Sequence, residues 1–340
     1  MKLNYGIIGT GMMGCEHIRN LKKIADVNIV AIADPNEESR KWARKACEDK
    51  FKIRLYEDYK ELLAEKDIDV IVVASPNFTH IEIMRELFKT DKHVLLEKPM
   101  CTTLPDSLEV LEKSKDHGGL VWVGLEYRYM SPIQSLIKHI EEIGDIRMLS
   151  IREHRFPFLE KVDNWNRFNE NTGGTLVEKC CHFFDLMNLI VPSKPIKVYA
   201  SGGQDVNHLD EKYDGKTPDI IDNSFVIVDY QDGQRAMLDL CMFAEAGKYE
   251  QEIVLTGDQG KLETHIPGNE LLLTNRKNYS LKTIEVKDDP RVKEVGFHHG
   301  ASYIEHLELI DCIKNKKKPL VDCQKGLDSI ILGLAAQESI

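Results

Sequence analysis

The sequence predicts an α/β protein in two parts: a doubly wound parallel sheet over residues 1–123, and an α+β region rich in antiparallel strands over 124–340. Three observations predict it. Up to residue 123, short apolar strands alternate with helices, the pattern of a parallel sheet covered on both faces. The first of these strands runs into Gly9, Gly11 and Gly14 at G-x-G-x-x-G spacing. Beyond Gly124, alternating segments are joined by glycine turns such as Asp232-Gly233 and Gly257-Asp258-Gln259-Gly260, which reads as antiparallel pairing.

Tyr5 to Ile8 reads as a buried strand and Glu16 to Ile24 as the helix after it. The turn Gly9-Thr10-Gly11-Met12-Met13-Gly14 has the chemistry of a dinucleotide-binding Rossmann loop. Its first glycine lets the chain turn off the strand, the second lets backbone approach a pyrophosphate, and the third lets the helix pack close to the strand. The anion then rests on the helix N-terminus, where free N–H groups and the dipole favour it. A glycine-rich turn with no ligand is the plainer alternative. The second strand, Val27 to Ala33, favours the ligand: it ends in Asp34, 34 − 14 = 20 residues past the last glycine. An acid there accepts hydrogen bonds from a ribose 2′-OH and repels a 2′-phosphate, so NAD is expected over NADP, with nearby Arg40 weakening the preference.

Asn36 or Ser39 starts a helix to Cys47, Lys52 to Leu55 is a short strand, and Asp58 caps the helix Tyr59 to Ala64. Asp69 to Ala74 is a continuous apolar strand, as a central parallel strand should be. Its carboxyl end opens into Ser75-Pro76-Asn77-Phe78-Thr79-His80, where such sheets bind ligands. Ser75, Asn77 and His80 are expected to face the cofactor, with a helix-start role the alternative for His80. The strand His93 to Leu96 ends in Glu97-Lys98-Pro99, which puts a lysine at the same sheet edge and makes Lys98-Pro99 a candidate cis peptide. A surface lysine beside a loop proline is the bland reading. A helix from Leu104 to His117 and a strand from Leu120 to Gly124 complete this part.

The second part reads as a helix from Ile133 to Glu142, a strand from Asp145 to His154, and a helix from Thr175 to Ile190. Strands follow near 196–202, 222–230, 234–243, 249–256 and 260–274, then helices at 300–314 and 323–338. In the helix Thr175 to Ile190, Glu178 and His182 are four apart and Asp185 is three further on, an arc of about 60°. Most other positions are apolar, so an acid and a histidine there are hydrogen-bonded or face a cavity. A narrow solvated stripe is the alternative. Cys180-Cys181-His182 suggests metal, but further ligands at sensible spacing are not evident and none is expected.

The glycine turn, Asp34, Ser75-Pro76-Asn77-x-x-His80 and Glu97-Lys98-Pro99, in this order and spacing, resemble the glucose–fructose oxidoreductase / inositol dehydrogenase / rhizopine-catabolism (Gfo/Idh/MocA) family. Gly124-Leu125-Glu126-Tyr127-Arg128-Tyr129-Met130-Ser131-Pro132 resembles that family's entry into its second domain. The resemblance covers nearly the whole chain. It implies a Rossmann domain followed by an α+β domain with one large, open, mostly antiparallel sheet whose outer face joins subunits, hence a homo-dimer or homo-tetramer. The last helix is expected to pack back on the Rossmann domain. The resemblance also implies NAD as cofactor, with Glu97 and Lys98 beside it. Lys98 would be the catalytic lysine. His182 and Asp185 match the family's aspartate-x-x-x-histidine-x-x-aspartate pattern, and Glu178 stands at its first aspartate. His154 matches a substrate-contacting histidine, whereas Phe156 replaces an asparagine and suits the C–H face of a larger or less polar substrate. Arg128, His154, Phe156 and Asp185 would then bind substrate.

The implied activity is oxidation of a secondary hydroxyl on a cyclic polyol, sugar or glycoside. His182 would be the base, Lys98 would stabilise the alkoxide, and Glu178 would orient them. An NAD-dependent glycosidase with an internal redox cycle and a non-enzymatic NAD-sensing regulator are the competing readings. His298-His299-Gly300 opens the helix at 300 and either reaches the same cleft or serves the helix start.

Composition is compatible. A chain of 340 residues can bury two cores, and 42% apolar with 30% charged residues is ordinary for a globular protein. A net charge of −11 without a basic stripe argues against nucleic acid. No apolar run nears the ~20 residues of a membrane span, and the chain enters its first strand without a signal peptide. Eight cysteines with no C-x-x-C pair read as reduced thiols of a cytoplasmic protein.

Overall fold

A computed structural model describes residues 2–48 and 50–340. The chain divides into two compact units. The first comprises residues through Glu126, Lys161–Asp163 and Arg291–Ile330; the second comprises Tyr127–Glu160, Asn164–Pro290 and Ile331–Ile340.

In the first unit the elements are β1 (Leu3–Ile8), α1 (Met12–Lys22), β2 (Val27–Ala33), α2 (Glu37–Cys47), β3 (Arg54–Tyr56), α3 (Tyr59–Leu63), β4 (Val70–Val73), α4 (His80–Leu87), β5 (His93–Glu97), α5 (Leu104–Ser114) and β6 (Val121–Gly124). The strands form one parallel sheet in the order β3-β2-β1-β4-β5-β6. The order reverses between β1 and β4, so the carboxyl ends of those two strands flank the crevice that such sheets offer to a ligand. β4 and β6 are buried at every position, as strands covered on both faces must be. The helices start where side chains satisfy their first N–H groups: Asn36 accepts from Ser39, Asp58 from Lys60 and Thr103 from Asp106.

The second unit contains α6 (Ser131–Lys138), β7 (Ile146–His154), α7 (Asn169–Thr172), α8 (Thr175–Glu178), α9 (Cys181–Ile190), β8 (Pro195–Gly203), β9 (Asn223–Tyr230), β10 (Arg235–Cys241), β11 (Gln251–Gly257), β12 (Gly260–Ile266), β13 (Glu270–Asn275) and β14 (Ser280–Glu285). Its eight strands form one open sheet, β14-β13-β12-β11-β7-β10-β9-β8, antiparallel except for the β7–β10 pair. The inner face is apolar, with Leu149, Ile151, Val226, Val228, Leu238 and Ile253 buried, and α6 packs on β12 and β13.

The structure revises four expectations. The segment 260–274 is a hairpin, β12 and β13, turning at Pro267-Gly268. β14 was not anticipated because it buries almost nothing and so shows no alternation. The helix expected over 175–190 is broken between α8 and α9. There the Cys180 N–H reaches back five residues to the Thr175 carbonyl at 3.3 Å, a widened turn of the kind found at functional positions. Finally, α10 (Ala301–Lys314), which a boundary at 123/124 assigns to the second part, belongs to the first unit. It buries Tyr303, Ile304 and Leu309, and its His306 bonds His17 of α1 at 2.9 Å. The last helix, α11, spans Cys323–Ser339. Among the described residues, no helix is long and apolar enough to cross a membrane.

Candidate active site

The glycine turn has the three properties its spacing predicts. Gly9 has φ of +83°, and a methyl on it would lie 2.5 Å from the Ser75 backbone. A methyl on Gly14 would overlap the Gly9 carbonyl oxygen, which is how closely α1 lies on the turn. A methyl on Gly11 would meet no described atom within 4 Å. The middle glycine therefore leaves open space in front of the α1 N-terminus, where a pyrophosphate belongs.

Asp34 closes the turn from β2. Its Oδ2 accepts from the Thr10 N–H at 2.7 Å and the Thr10 hydroxyl at 3.2 Å, and its Oδ1 accepts from the Asn36 N–H at 2.9 Å. Thr10 thus spends its N–H on the protein, while Asp34 Oδ1, with one hydrogen bond accepted, retains a lone pair for a ribose hydroxyl. Arg40 is occupied: its guanidinium donates to the Asp34 and Pro35 carbonyls and to Glu57 at 2.8 Å. A cation so engaged weakens the NAD preference less than its position in the sequence suggests.

The Asn77 side chain is buried, and among the described residues its Nδ2 has no hydrogen-bond partner, as a cofactor contact would require. Ser75 accepts a hydrogen bond from the Thr79 hydroxyl at 2.7 Å. His80 does not present a nitrogen to a ligand. It is fully buried, with Nδ1 2.9 Å from the Pro99 carbonyl oxygen and Nε2 3.1 Å from that of Ser75, so it braces two loops at the sheet edge. Burial pushes its pKa down, against the hydrogen bonds to those carbonyls. The Lys98-Pro99 peptide is cis and Lys98 is half-buried.

Glu97 also departs from expectation. Its carboxylate turns inward, accepting from the Lys98 N–H at 3.1 Å and lying 2.7 Å from His17 Nε2. It belongs to a buried set of acids and histidines of which the sequence singled out Glu97 and His298 but not their pairing with His17, Glu16 and His306. His17 leads on to His306, and His298 lies 3.1 Å from Glu16 and 3.5 Å from Glu126. His298 is therefore tied to the α1 helix of its own unit. Burial raises the Glu126 carboxyl to about 7 against the attraction of His298. Burial lowers His298, but Glu126 and then Glu16 outweigh it and hold the imidazole above its usual value.

In the second unit the expected residues are drawn into pairs. Arg128 and Asp185, both buried, form a two-pronged ion pair with Nε–Oδ2 at 3.0 Å and Nη2–Oδ1 at 2.5 Å. Those prongs are taken, so any substrate contact falls to their remaining lone pairs and N–H groups. His154 Nε2 lies 3.0 Å from Asp239 of β10, a partner the sequence did not indicate. Phe156 is half-buried, and the Arg155 guanidinium carbon lies 4.3 Å from its ring centroid, so one of its two aromatic faces is taken by that cation. Glu178 and His182 are both buried.

His182 lies flat on Tyr127, with ring centroids 3.9 Å apart and planes 7° off parallel. Behind Tyr127 stand Lys179 and Glu153, which the sequence reading also missed. A signal existed: Glu153 takes the inward position after Leu149 and Ile151 on β7, where an apolar residue is expected.

Two family models match the chain. "Oxidoreductase family, NAD-binding Rossmann fold" covers residues 3–125, and "Oxidoreductase family, C-terminal alpha/beta domain" covers residues 137–340; both are the GFO_IDH_MocA models. Among curated proteins, a myo-inositol 2-dehydrogenase of Thermotoga maritima is 27% identical over 99% of this chain and 96% of its own. The uncharacterized oxidoreductase YrbE of Bacillus subtilis is 30% identical over 75% of this chain and 71% of its own. Among solved structures, a levoglucosan dehydrogenase in complex with NADH and levoglucosan superposes with a TM-score of 0.86 at 20% identity, covering 100% of this chain and 97% of that one.

Proposed function

Because the chain belongs to the GFO/IDH/MocA oxidoreductase family and is an NAD-dependent oxidoreductase acting on CH–OH groups, we propose that it oxidises a secondary hydroxyl of a cyclic polyol, sugar or glycoside. The observation that carries this reading is His182: a buried imidazole held in one plane, on the segment that matches the family's acid–histidine motif.

Bound NAD+ supplies the hydride acceptor. The space in front of Gly11 and the first N–H groups of α1 suit its pyrophosphate, Asp34 its ribose hydroxyl, and the Asn77 amide its polar remainder. In the proposed reaction His182 takes the hydroxyl proton, since an imidazole titrates near working pH. Lys98 donates a hydrogen bond to the same oxygen as negative charge develops there. Glu178 orients His182 or Lys98, and Arg128, Asp185 and His154 contribute the lone pairs and N–H groups that remain to them for hydroxyls. The relatives named for myo-inositol and levoglucosan support a compact cyclic substrate. Eight cysteines with no C-x-x-C pair suit the reducing cytoplasm, where we place the protein.

The test is NADH absorbance with NAD+ and a panel of inositols, free and anhydro sugars, and glucosides, comparing wild type with His182→Ala and Lys98→Ala. Turnover on one subset, lost in both variants while NAD+ still binds, supports the assignment. Wild-type turnover in both variants overturns it, and cleavage of a glucoside without net NADH moves the protein to the internal-redox glycosidases.

A further inference from the structure

On the reading above that His182 is the base, what holds its imidazole in place decides its reach. The ring beneath its imidazole, Tyr127, is itself held. The phenol oxygen accepts a hydrogen bond from Lys179 Nζ at 2.8 Å, and the same ammonium pairs with Glu153 Oε1 at 2.8 Å. The Arg155 guanidinium lies 3.6 Å from Glu153 Oε1. The Lys179 Nζ stands 5.1 Å from the Tyr127 ring centroid and 5.6 Å from that of Phe183, whose ring meets Tyr127 edge-on at 5.8 Å. Glu153 is fully buried, and Lys179 and Tyr127 are 5% exposed.

We propose that Tyr127 is a positioning residue: its ring is the plate that fixes the plane of the His182 imidazole, and the Lys179–Glu153 pair pins that plate.

Stability alone does not account for the arrangement. Taking a lysine and a glutamate out of water is costly, and well-packed apolar residues of similar size do as well or better for the fold. The position of Glu153 makes the point, because its inward neighbours on β7 are Leu149 and Ile151. The pair does secure a fixed point inside the unit. Burial lowers the Lys179 pKa, and Glu153 followed by Tyr127 more than restores it, so the ammonium stays charged and its hydrogen bond to the phenol stays made. That matters for an imidazole, because rotation about its outer side-chain torsion is soft and broad. A general base must hold its nitrogen within hydrogen-bond reach of the proton it takes. A parallel ring 3.9 Å away removes that rotation and leaves the ring edge, with its nitrogens, as the working side.

The test uses the full chain with NAD+, with myo-inositol and levoglucosan as probes. Tyr127→Phe keeps the plate and loses the pin, and is expected to hold kcat within about tenfold of wild type. Tyr127→Leu removes the plate and is expected to lower kcat about a hundredfold, the scale of a misplaced catalytic group, with the probe's KM and NAD+ affinity unchanged. In the proton NMR spectrum the His182 imidazole signal, identified by its loss in His182→Ala, is expected upfield under the ring, still upfield but broadened in Tyr127→Phe, and released in Tyr127→Leu. Wild-type turnover in His182→Ala overturns the reading of His182 as base. An inactive His182→Ala beside a Tyr127→Leu enzyme with wild-type kcat overturns the positioning role alone. If neither probe turns over, or Tyr127→Leu does not fold, the wild-type spectrum decides: an unshielded His182 overturns the proposal, and a shielded one that Tyr127→Met releases supports it.

Discussion

Gly11 and Gly14 are three residues apart and fail for opposite reasons when given a side chain. Alanine at 14 drives a methyl into the Gly9 carbonyl, so Gly14→Ala is expected to lose several degrees of Tm or to fail to fold. Alanine at 11 meets open space, so Gly11→Ala is expected to melt like wild type. Its methyl stands where the pyrophosphate approaches, so NAD+ affinity should fall by about tenfold or more, equivalent to ~1.4 kcal/mol. Melting curves with and without NAD+, together with titration calorimetry, separate the two. Wild-type NAD+ affinity in Gly11→Ala would sink the assignment of that space. The glycines were legible because their constraint is local. Glu97 turned away from the cofactor role its motif position suggested, and His80 took the helix-start alternative, because motif position fixes where a residue sits and not which way it turns. Each turns inward to a partner, His17 or the Pro99 carbonyl, that is distant in sequence. Tyr127 was passed over as the neighbour of Arg128, since no spacing rule announces a ring stacked on a histidine 55 residues further on.

Among elements, α1 and α10 are the pair the sequence could not join, since nearly 300 residues separate His17 from His306. Their shared interior carries Glu16, His17, His298 and His306, with Glu97 and Glu126 against it. This gives stability a pH dependence whose sign is fixed. The Glu126 carboxyl holds its proton up to about pH 7 in the folded chain, against an ordinary value near 4.3 in the unfolded one. Between the ordinary and raised values the folded state binds more protons than the unfolded state. The stabilisation is thus complete below the ordinary value and is lost as pH rises through the raised one, by at most about 1.4 kcal/mol per pH unit for the extra proton. Glu126→Gln keeps the uncharged form at every pH. Relative to wild type it is expected to gain stability from pH 6 to 8, measured by thermal or urea melts at half-unit steps. Parallel pH profiles for the two proteins would show that Glu126 does not ionise in this range.

The large sheet of the second unit was legible as a set of alternating strands, and its outer face extends the argument to the whole molecule. One cross-strand row on that face runs Tyr199–Ile227–Met237, with Phe225 one step along β9 and Ile196 at the start of β8. All five are exposed, Phe225 to 60% and Ile196 to 62%. An alternating strand in water needs only one apolar face, and here these five outward positions carry large apolar side chains instead of polar ones. Neighbouring apolar residues on one face mark an interaction surface, whereas scattered single ones do not. The partner that fits is a second copy of the chain, because an open sheet face can meet its own image about a two-fold axis. We expect a homo-dimer or homo-tetramer in solution, burying about 800 Å² or more per chain. A carboxylate at the centre of that face would be buried against its own symmetry mate, so Phe225→Glu is expected to shift the protein to monomer by light scattering and sedimentation. NAD+ affinity should stay at the wild-type value, since the glycine turn, Asp34 and Asn77 all belong to the first unit. A wild-type protein that sediments as a monomer at micromolar concentration refutes the interface. A Phe225→Glu oligomer of unchanged mass moves it to another surface and leaves this face to a different partner.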